Sequence, residues 1–368
     1  MKAGWQTMTL GEVIQLPYGK PLDPKDRNPN GLYPAYGANG EKDRTDMFYR
    51  DSPSIIVGRK GSAGEITLTE DRFWPLDVTY FVEFDCLQYN LQFLYYLLVT
   101  LDLPSMAKGV KPGINRNEVY ALPVMVPPLP EQHRIVAILD EAFDGIATAK
   151  ANAEKNLQNA RALFDSHLQS VFTRKGEVLK ETTLGDVCNF VGGSQPPKSV
   201  FEKAPTAKNV RLIQIRDYKS EKHIVYIPRK LAKRFCDADE VMIGRYGPPL
   251  FQILRGLAGA YNVALMKAVP DESKLSRDFL FYFLKHSDIL QYVIYHSDRA
   301  AGQIGVTKET LAPYPIALPG HAEQRRIVET IMELEADTQR LEAIYQQKLT
   351  ALDDLKKSLL HQAFSGAL

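Results

Sequence analysis

The sequence predicts a repeated architecture in which two globular segments alternate with two long helices. The letters EQHRIV at 131–136 return as EQRRIV at 323–328, an offset of 192 residues. In both copies they open a long stretch in which apolar residues recur every three or four positions, the spacing of a helix with one apolar face. A fainter repeat, TLGEV at 9–13 and TLGDV at 183–187, lies near the start of each globular segment.

The main repeat extends well beyond six letters. At the same offset it continues to Phe172 and Phe364, and upstream it pairs Gly113 with Gly305. The front repeat has a different offset, 174, so the two globular segments differ in length. We therefore predict four parts, each globular segment being followed by its helix: residues 1–127, 128–175, 176–319 and 320–368.

Each predicted helix carries one narrow apolar stripe, as in a coiled-coil seam. The first stripe comprises Ile135, Leu139, Ala142, Ile146, Ala149, Ala153, Leu157, Ala160, Phe164, Leu168 and Val171. The second comprises Ile327, Ile331, Leu334, Leu341, Tyr345, Leu349, Leu352, Leu355, Leu359 and Ala363. Roughly 40 residues make a rod of about 60 Å, which cannot bury such a stripe alone. A two-fold relation between the copies predicts an antiparallel pair; the alternative is that each helix packs separately on its own globular segment.

Composition indicates a globular protein of two or three domains, with 368 residues of which 45% are hydrophobic. The net charge is +1, divided as −2 over residues 1–127, 0 over 128–175, +5 over 176–319 and −2 over 320–368. A grip on a polyanion would therefore need local clusters. Three widely spaced cysteines predict neither a disulfide framework nor a zinc site. Without an apolar signal or membrane-spanning run, we expect a cytoplasmic protein with no membrane partner.

The run LPVMVPPLPEQHRIVAILDEAF, its second copy and the tail LKKSLLHQAFSG resemble the specificity subunits of type I restriction-modification systems. The resemblance covers essentially the whole chain. It departs from the pattern in the second copy, where PGHAEQRRIV lacks two of the prolines of PPLPEQHRIV.

This resemblance implies an α+β fold: two mixed target-recognition domains joined by two long helices that form an antiparallel coiled coil, with a pseudo-two-fold internal repeat. It implies a DNA-binding subunit for host defence that reads a bipartite, asymmetric target in double-stranded DNA. The expected partners are two DNA adenine methyltransferase subunits and restriction subunits. S-adenosylmethionine, ATP and Mg are expected in those partners, and no cofactor is expected in this chain.

Five short segments hold the candidate DNA-binding residues. In IVGRKGSAG at 56–64 and MIGRYGPPL at 242–250, an apolar strand runs into a glycine-flanked tip, which suits a phosphate or a guanine edge. In YPAYGANGEKDR at 33–44 we expect a turn-rich loop. KGVKPGINRNE at 108–118 and RAAGQIGVTKE at 299–309 precede the two proline-rich exits. The candidates are Arg59, Lys60, Arg245, Tyr246, Tyr36, Asn39, Lys42, Arg44, Lys108, Lys111, Asn115, Arg116, Arg299, Gln303, Thr307 and Lys308.

A further pair comes from NVRLIQIRDYKSEKHIVYIP at 209–228, where alternation predicts a strand with Gln214 and Arg216 facing outward, Gln214 toward a base edge and Arg216 toward a phosphate. For every segment a purely structural role is the alternative: a charged turn, a solvated loop, or a loop that docks each domain on its helix.

No motif predicts catalysis by this chain. There is no phosphate-binding loop of the Walker type, and the seven histidines lack metal-ligand spacing. We therefore expect methylation and cleavage to reside in partner subunits. The competing interpretation is a non-catalytic coiled-coil scaffold that binds proteins through its two globular ends, which leaves two dissimilar domains with basic loops unexplained.

Overall fold

A computed structural model describes residues 4–173, 180–297 and 305–368. The chain divides into two compact units. The first unit comprises residues 1–154 with 346–368, and the second comprises residues 155–345. Both long helices therefore contribute to both units: residues up to 154 of the first helix belong to the first unit, and the remainder of that helix belongs to the second.

The first unit is an α+β domain built from short strands. An antiparallel pair of strands joins its two ends, a three-stranded antiparallel sheet forms its centre, and another three-stranded sheet contains one parallel pair. The strands are β1 Gln6–Thr9, β2 Tyr33–Gly37, β3 Gly40–Thr45, β4 Ser54–Gly58, β5 Ile66–Thr69, β6 Trp74–Pro75, β7 Thr79–Phe81 and β8 Pro123–Val126. The helices are α1 Leu10–Val13, α2 Leu91–Thr100, α3 Arg116–Tyr120 and α4 Leu129–Thr173.

The second unit repeats this plan with two four-stranded sheets, one of them central. Its strands are β9 Lys180–Thr183, β10 Cys188–Gly192, β11 Asn209–Ile213, β12 Tyr226–Pro228, β13 Phe235–Cys236, β14 Val241–Gly244, β15 Gln252–Leu254, β16 Gly259–Tyr261, β17 Leu265–Pro270 and β18 Pro315–Leu318. Its helices are α5 Leu184–Val187, α6 Arg277–Lys285, α7 Ser287–His296, α8 Lys308–Leu311 and α9 His321–Ser365. The central sheet has the order β10-β17-β14-β15, and the other sheet has the order β12-β11-β16-β13.

Each core forms because one apolar strand is covered on both faces. All five residues of β4 and all four of β14 are buried. An amphipathic helix packs over each central sheet. The helix α2 buries Phe93, Leu94 and Leu97, and Asn90 caps it by accepting a hydrogen bond from Phe93 N. The helix α6 is capped in the same way by Ser276.

The repeated glutamine of EQHRIV and EQRRIV anchors each long helix to its globular segment. Gln132 is 1% exposed; its Nε2 donates to the carbonyls of Gln88 (3.0 Å) and Pro127 (2.9 Å). Its Oε1 accepts from Asn90 N at 2.8 Å. In the second unit, Gln324 makes the same three bonds, to Lys274 O, Pro319 O and Ser276 N. One buried side chain thus joins the proline-rich exit, the long helix and the cap of the packed helix.

The long helices pair antiparallel within each unit. In the first unit, Arg134 donates to the carbonyl of Leu368, and Lys150 pairs with Asp353 at 2.8 Å, so later residues of α4 meet earlier residues of α9. Phe364 also contacts Phe93, with ring centroids 5.1 Å apart. The end of α9 therefore packs on the first globular segment, and the alternative of two separately packed helices is wrong.

In the second unit, the last turns of α4 meet the first turns of α9. Arg161 pairs with Glu342 at 2.6 Å, and Leu168 shares a core with Ile331. The polarity is again antiparallel, as the sequence predicts.

The predicted stripe of α4 is confirmed, because all eleven of its residues are buried or half-buried. The stripe of α9 needs a correction. Leu341 and Leu355 are 42% and 47% exposed, whereas Thr338 is 9% exposed. The sequence predicts these leucines in the seam, whereas the helical register of α9 places Thr338 there.

Within residues 4–173, 180–297 and 305–368, none of the helices combines the length and the apolar content needed to span a membrane.

Candidate nucleic-acid interface

Arg59 and Arg245 occupy equivalent backbone positions in the two units, each directly after a central strand that ends in glycine. Arg59 N donates to Val78 O, and Ile114 N donates to Arg59 O. Arg245 makes the same pair of backbone bonds, to Ala264 O and from Val306 N. The predicted strand ending in a basic tip is therefore present in both units.

Both arginine side chains also hold their surroundings together. Arg59 donates from Nε and Nη2 to the carbonyl of Asp77, at 3.2 and 2.7 Å. Arg245 donates from Nε to Val306 O at 2.9 Å and from Nη1 to Val263 O at 3.3 Å. These bonds position the arginines at the surface. Of the residues that follow them, Lys60 is exposed and Tyr246 is half-buried.

In the first unit, two guanidinium groups lie against one aromatic ring. The guanidinium carbons of Arg59 and Arg116 lie 5.2 and 4.8 Å from the ring centroid of Tyr18, which is 50% exposed. Tyr18 packs in turn on Tyr80, with centroids 5.1 Å apart. An exposed aromatic ring in contact with arginines offers both an aromatic surface and positive charge. Tyr18 is not among the residues predicted from the sequence. The offset of 174 between TLGEV and TLGDV aligns it with Gly192 in the second unit.

The second unit has an open cleft at this place. Gly192 replaces Tyr18, and a Cβ built there meets no atom within 4 Å. The cleft has a volume of about 550 Å³; Arg234, Arg245 and Lys308 line it together with Asn189, and Glu309 is its one carboxylate. Equivalent scaffolds thus present an aromatic–arginine stack in one unit and a cationic cleft in the other.

The loops before the two exits combine capping residues with cations. Asn115 accepts from Asn117 N at 2.9 Å and caps α3, and Thr307 accepts from Thr310 N at 3.2 Å and caps α8. These two side chains therefore serve the loop structure. The lysines of the two loops differ in how closely they approach a carboxylate. Lys108 pairs with Glu118 at 2.8 Å, and Lys308 lies 3.6 Å from Glu309.

Two more cations complete this first loop. Arg116 donates to Leu16 O at 3.2 Å in addition to its contact with Tyr18, and Lys111 is exposed. The remaining candidates of the second loop, Arg299 and Gln303, lie outside the described residues.

The segment at 33–44 is a hairpin and not the turn-rich loop that we expected. Strands β2 and β3 pair antiparallel, so Tyr36, Lys42 and Arg44 lie on strands and only Asn39 lies in the turn. Arg44 donates to Gly31 O at 2.7 Å and to Leu32 O at 2.9 Å, so it stabilises the hairpin. Tyr36 packs edge-on against Phe73. Asn39 and Lys42 are exposed.

The strand predicted through Gln214 and Arg216 ends earlier, at Ile213. Gln214 instead begins a short 3-10 helix, Ile215–Tyr218, whose Asp217 accepts from Gln214 N at 3.0 Å. Outward alternation is therefore wrong here, because a capping carboxylate at Asp217 turns the chain. The Nε2 of Gln214 is buried and has no hydrogen-bond partner, whereas Arg216 is exposed.

The family model described as the type I restriction modification DNA specificity domain matches residues 2–158 and again residues 177–351. The chain belongs to this type I DNA specificity family. Two matches to one family model agree with the internal repeat and with the two units of similar plan.

Relatives and solved structures agree with this family membership. The chain is 22% identical over 402 residues to the EcoDI specificity subunit of Escherichia coli, spanning 99% of this chain and 88% of that protein. It is 25% identical over 262 residues to the EcoR124I/EcoR124II specificity subunit of Escherichia coli, spanning 66% and 62%.

Two solved structures share the fold. The first, described as "Structural basis underlying complex assembly and conformational transition of the type I R-M system", has a TM-score of 0.78 at 21% identity, covering 100% of this chain and 99% of that chain. The HsdS subunit from Thermoanaerobacter tengcongensis has a TM-score of 0.62 at 20% identity, covering 100% and 98%.

Proposed function

We propose that this specificity-family chain reads a bipartite, asymmetric target in duplex DNA, with each globular segment reading one half. One observation carries the proposal: the two units share a backbone plan, yet they place different side chains at equivalent surface positions. Tyr18 corresponds to Gly192, and Lys60 corresponds to Tyr246. Since base edges are read by side chains on a common scaffold, unlike side chains read unlike half-sites.

The segments 1–127 and 176–319 are the proposed readers, and the helical segments 128–175 and 320–368 are the proposed spacer. Duplex DNA repeats about every 34 to 36 Å, so readers on a spacer of fixed length select half-sites separated by a fixed gap. The gap thereby becomes part of the specificity.

Protein partners follow from the same proposal. The chain docks two DNA adenine methyltransferase subunits, which bind S-adenosylmethionine, and restriction subunits, which use ATP and Mg; it performs no catalysis itself and acts in the cytoplasm. Apolar side chains on the helices of the second unit support a protein contact, because Leu163 and Ile344 are 63% and 50% exposed.

Methylome mapping tests the proposed function. The chain is co-expressed with its cognate methyltransferase subunit in a methylation-free host, and modified adenines are mapped by long-read sequencing. We expect a split, asymmetric motif with one fixed gap. New methylation at an unsplit motif, or a stable complex that methylates nothing, would favour the scaffold interpretation.

Matched variants in the same assay assign the half-sites. We expect Lys60→Ala to relax one half of the motif and Tyr246→Ala to relax the other half, because the two residues are equivalent positions of different units. A change in the same half for both variants contradicts one reader per unit.

A further inference from the structure

The sheets that contain a parallel strand pair, one in each unit, differ sharply in the charge of the segments that form them. The second-sheet segment, residues 198–234, holds eleven lysines and arginines against three carboxylates, a net charge of +8. The first-sheet segment, residues 23–51, holds five against six, a net charge of −1. The whole-chain value of +1 conceals this contrast, because acidic residues elsewhere offset the second-sheet segment.

The two segments are structural counterparts. In each, one strand runs parallel to a later strand, β2 with β6 and β11 with β16. Each segment is entered past a glycine that touches a carbonyl, so closely that a Cβ on Gly19 would lie 2.1 Å from Leu76 O, and one on Gly193 1.9 Å from Asn262 O. The charge difference therefore arises on a shared scaffold.

Cations of the first-sheet segment are paired within the protein. Arg27 pairs with Asp43 at 3.3 Å, and Arg44 pairs with Glu41 at 2.8 Å. Lys25 and Arg50 also have carboxylate partners, so four of the five cations are paired. Little positive charge is left on this surface for a polyanion.

Cations of the second-sheet segment are mostly unpaired. Within the described part of the chain, the one ion pair made by these eleven side chains joins Arg211 to Glu221, at 4.0 Å. The other ten side chains are exposed. Like charges gathered without counter-charges repel one another, so this surface is stabilised by an anionic partner.

Several of these cations converge on one cleft of about 490 Å³. Lys203, Arg216, Lys222 and His223 line it, with Glu221 as its one carboxylate. These residues come from the loop before β11 and from the two 3-10 helices that follow it. A second cleft in the same segment holds Lys208 and Lys230, with Glu202 as its one carboxylate. Spaced cationic clefts match the repeating charge of a duplex backbone.

We propose that the second-sheet segment supplies most of the phosphate contacts that this chain makes to DNA, whereas the first unit reads its half-site with few net phosphate contacts. The proposal rests on the proposed function, DNA recognition. It assigns Lys203, Arg216 and Lys222 to the DNA backbone and not to bases, so their removal weakens binding to all sequences alike.

The test compares two triple variants of the full chain, each purified with its methyltransferase subunit. One carries Lys203→Gln, Arg216→Gln and Lys222→Gln. The matched control carries Lys25→Gln, Arg27→Gln and Lys42→Gln in the first-sheet segment. The affinity for a duplex containing the mapped motif is measured as a function of salt concentration. Each lost phosphate contact lowers the slope of log K against log[salt] by about 0.9.

We expect the second-sheet variant to lower the magnitude of that slope by about 2 to 3, and the control to lower it by less than about 1. The methylated motif is expected to stay unchanged. A slope that the second-sheet variant leaves unaltered, or a larger effect in the control, overturns this inference alone. Loss of the methyltransferase subunit from the second-sheet variant also overturns it, since the cations then serve a protein partner. A wild-type complex that binds no duplex overturns the proposed function as well.

Discussion

At the scale of single residues, burial and internal bonding decide which polar side chains remain available for function. The sequence predicts both Arg44 and Arg59 as candidate DNA-binding residues. In the structure Arg44 is bound to two carbonyls and a carboxylate of its own hairpin, and Arg59 directs two donors to Asp77 O. By contrast, exposed side chains are found at Lys60, Lys111 and Arg216. The sequence around these three residues is no more distinctive than the sequence around Arg44 or Arg59.

His286 is a residue of a different kind, a buried titratable group in the second core. It is 2% exposed and lies against the rings of Phe172, Phe283 and Tyr314. Its Nδ1 donates to Phe283 O, because a carbonyl oxygen only accepts, and its Nε2 lies 3.2 Å from the Tyr314 hydroxyl oxygen. Burial lowers the pKa of His286 from its usual 6.5, outweighing the opposite effects of the Phe283 carbonyl and of Asp288.

This lowered pKa predicts an acid-sensitive second unit. Because the unfolded chain takes up a proton near pH 6.5 and the folded chain does not, the stability that His286 contributes is complete above that pH and is lost as the pH falls below it. We expect the thermal midpoint to fall between pH 7.5 and pH 5.5, and to fall less in His286→Leu. Exposed His361→Gln is the control and should behave as wild type. Equal losses in all three proteins would refute a role for His286.

At the scale of elements, the repeated sequence motif marks a repeated anchor. A glutamine in the first turn of a helix has no special helical value, so the sequence alone did not explain why EQ recurs. The structure shows that Gln132 and Gln324 each bond three backbone groups of neighbouring segments. These bonds help to hold each globular segment on its helix.

The anchor predicts a large cost on truncation. Gln132→Ala removes the side-chain partner of backbone groups of Gln88, Asn90 and Pro127, and the bond to Pro127 is fully buried. We therefore expect the first unit to lose about 2 to 4 kcal/mol of unfolding free energy. Urea denaturation measures this loss. The control is Gln158→Ala, an exposed position of the same helix, with an expected change within about 0.5 kcal/mol. Comparable losses in the two variants would show that the anchor is not stabilising.

At the scale of the whole molecule, the spacer hypothesis predicts that helix length sets the unread gap. Lys150 pairs with Asp353, so α4 after Ala151 faces α9 near Ala351. Repeating residues 145–151 after Ala151 and residues 345–351 after Ala351 adds one heptad to both helices and keeps the seam continuous. Seven residues add about 10 Å, the rise of about three base pairs.

We expect the mapped motif to keep both half-sites while its gap lengthens by about three base pairs. Long-read methylome sequencing of the variant measures both quantities. The same heptad added to α4 alone breaks the seam and serves as the control, for which we expect no methylation. An unchanged gap, or altered half-sites in the doubly extended protein, would refute the spacer.

The sequence by itself determined the repeat, the two long helices, the apolar stripe of α4 and the family, because periodicity and repeated motifs are local properties of the chain. For the same reason it located the two strands that end immediately before Arg59 and Arg245. It misplaced the hairpin at 33–44, the end of β11 and part of the α9 seam, since a capping carboxylate and the helical register decide those details.

Only the tertiary structure decided which charges are free. The sequence shows only that residues 23–51 hold fewer cations than residues 198–234. The structure shows that the cations of the first segment are mostly paired with carboxylates and that those of the second segment are mostly unpaired. Two of these pairs, Arg27 with Asp43 and Arg50 with Glu83, join residues that lie well apart along the chain. Folding brings them together, and no short-range pattern encodes that encounter.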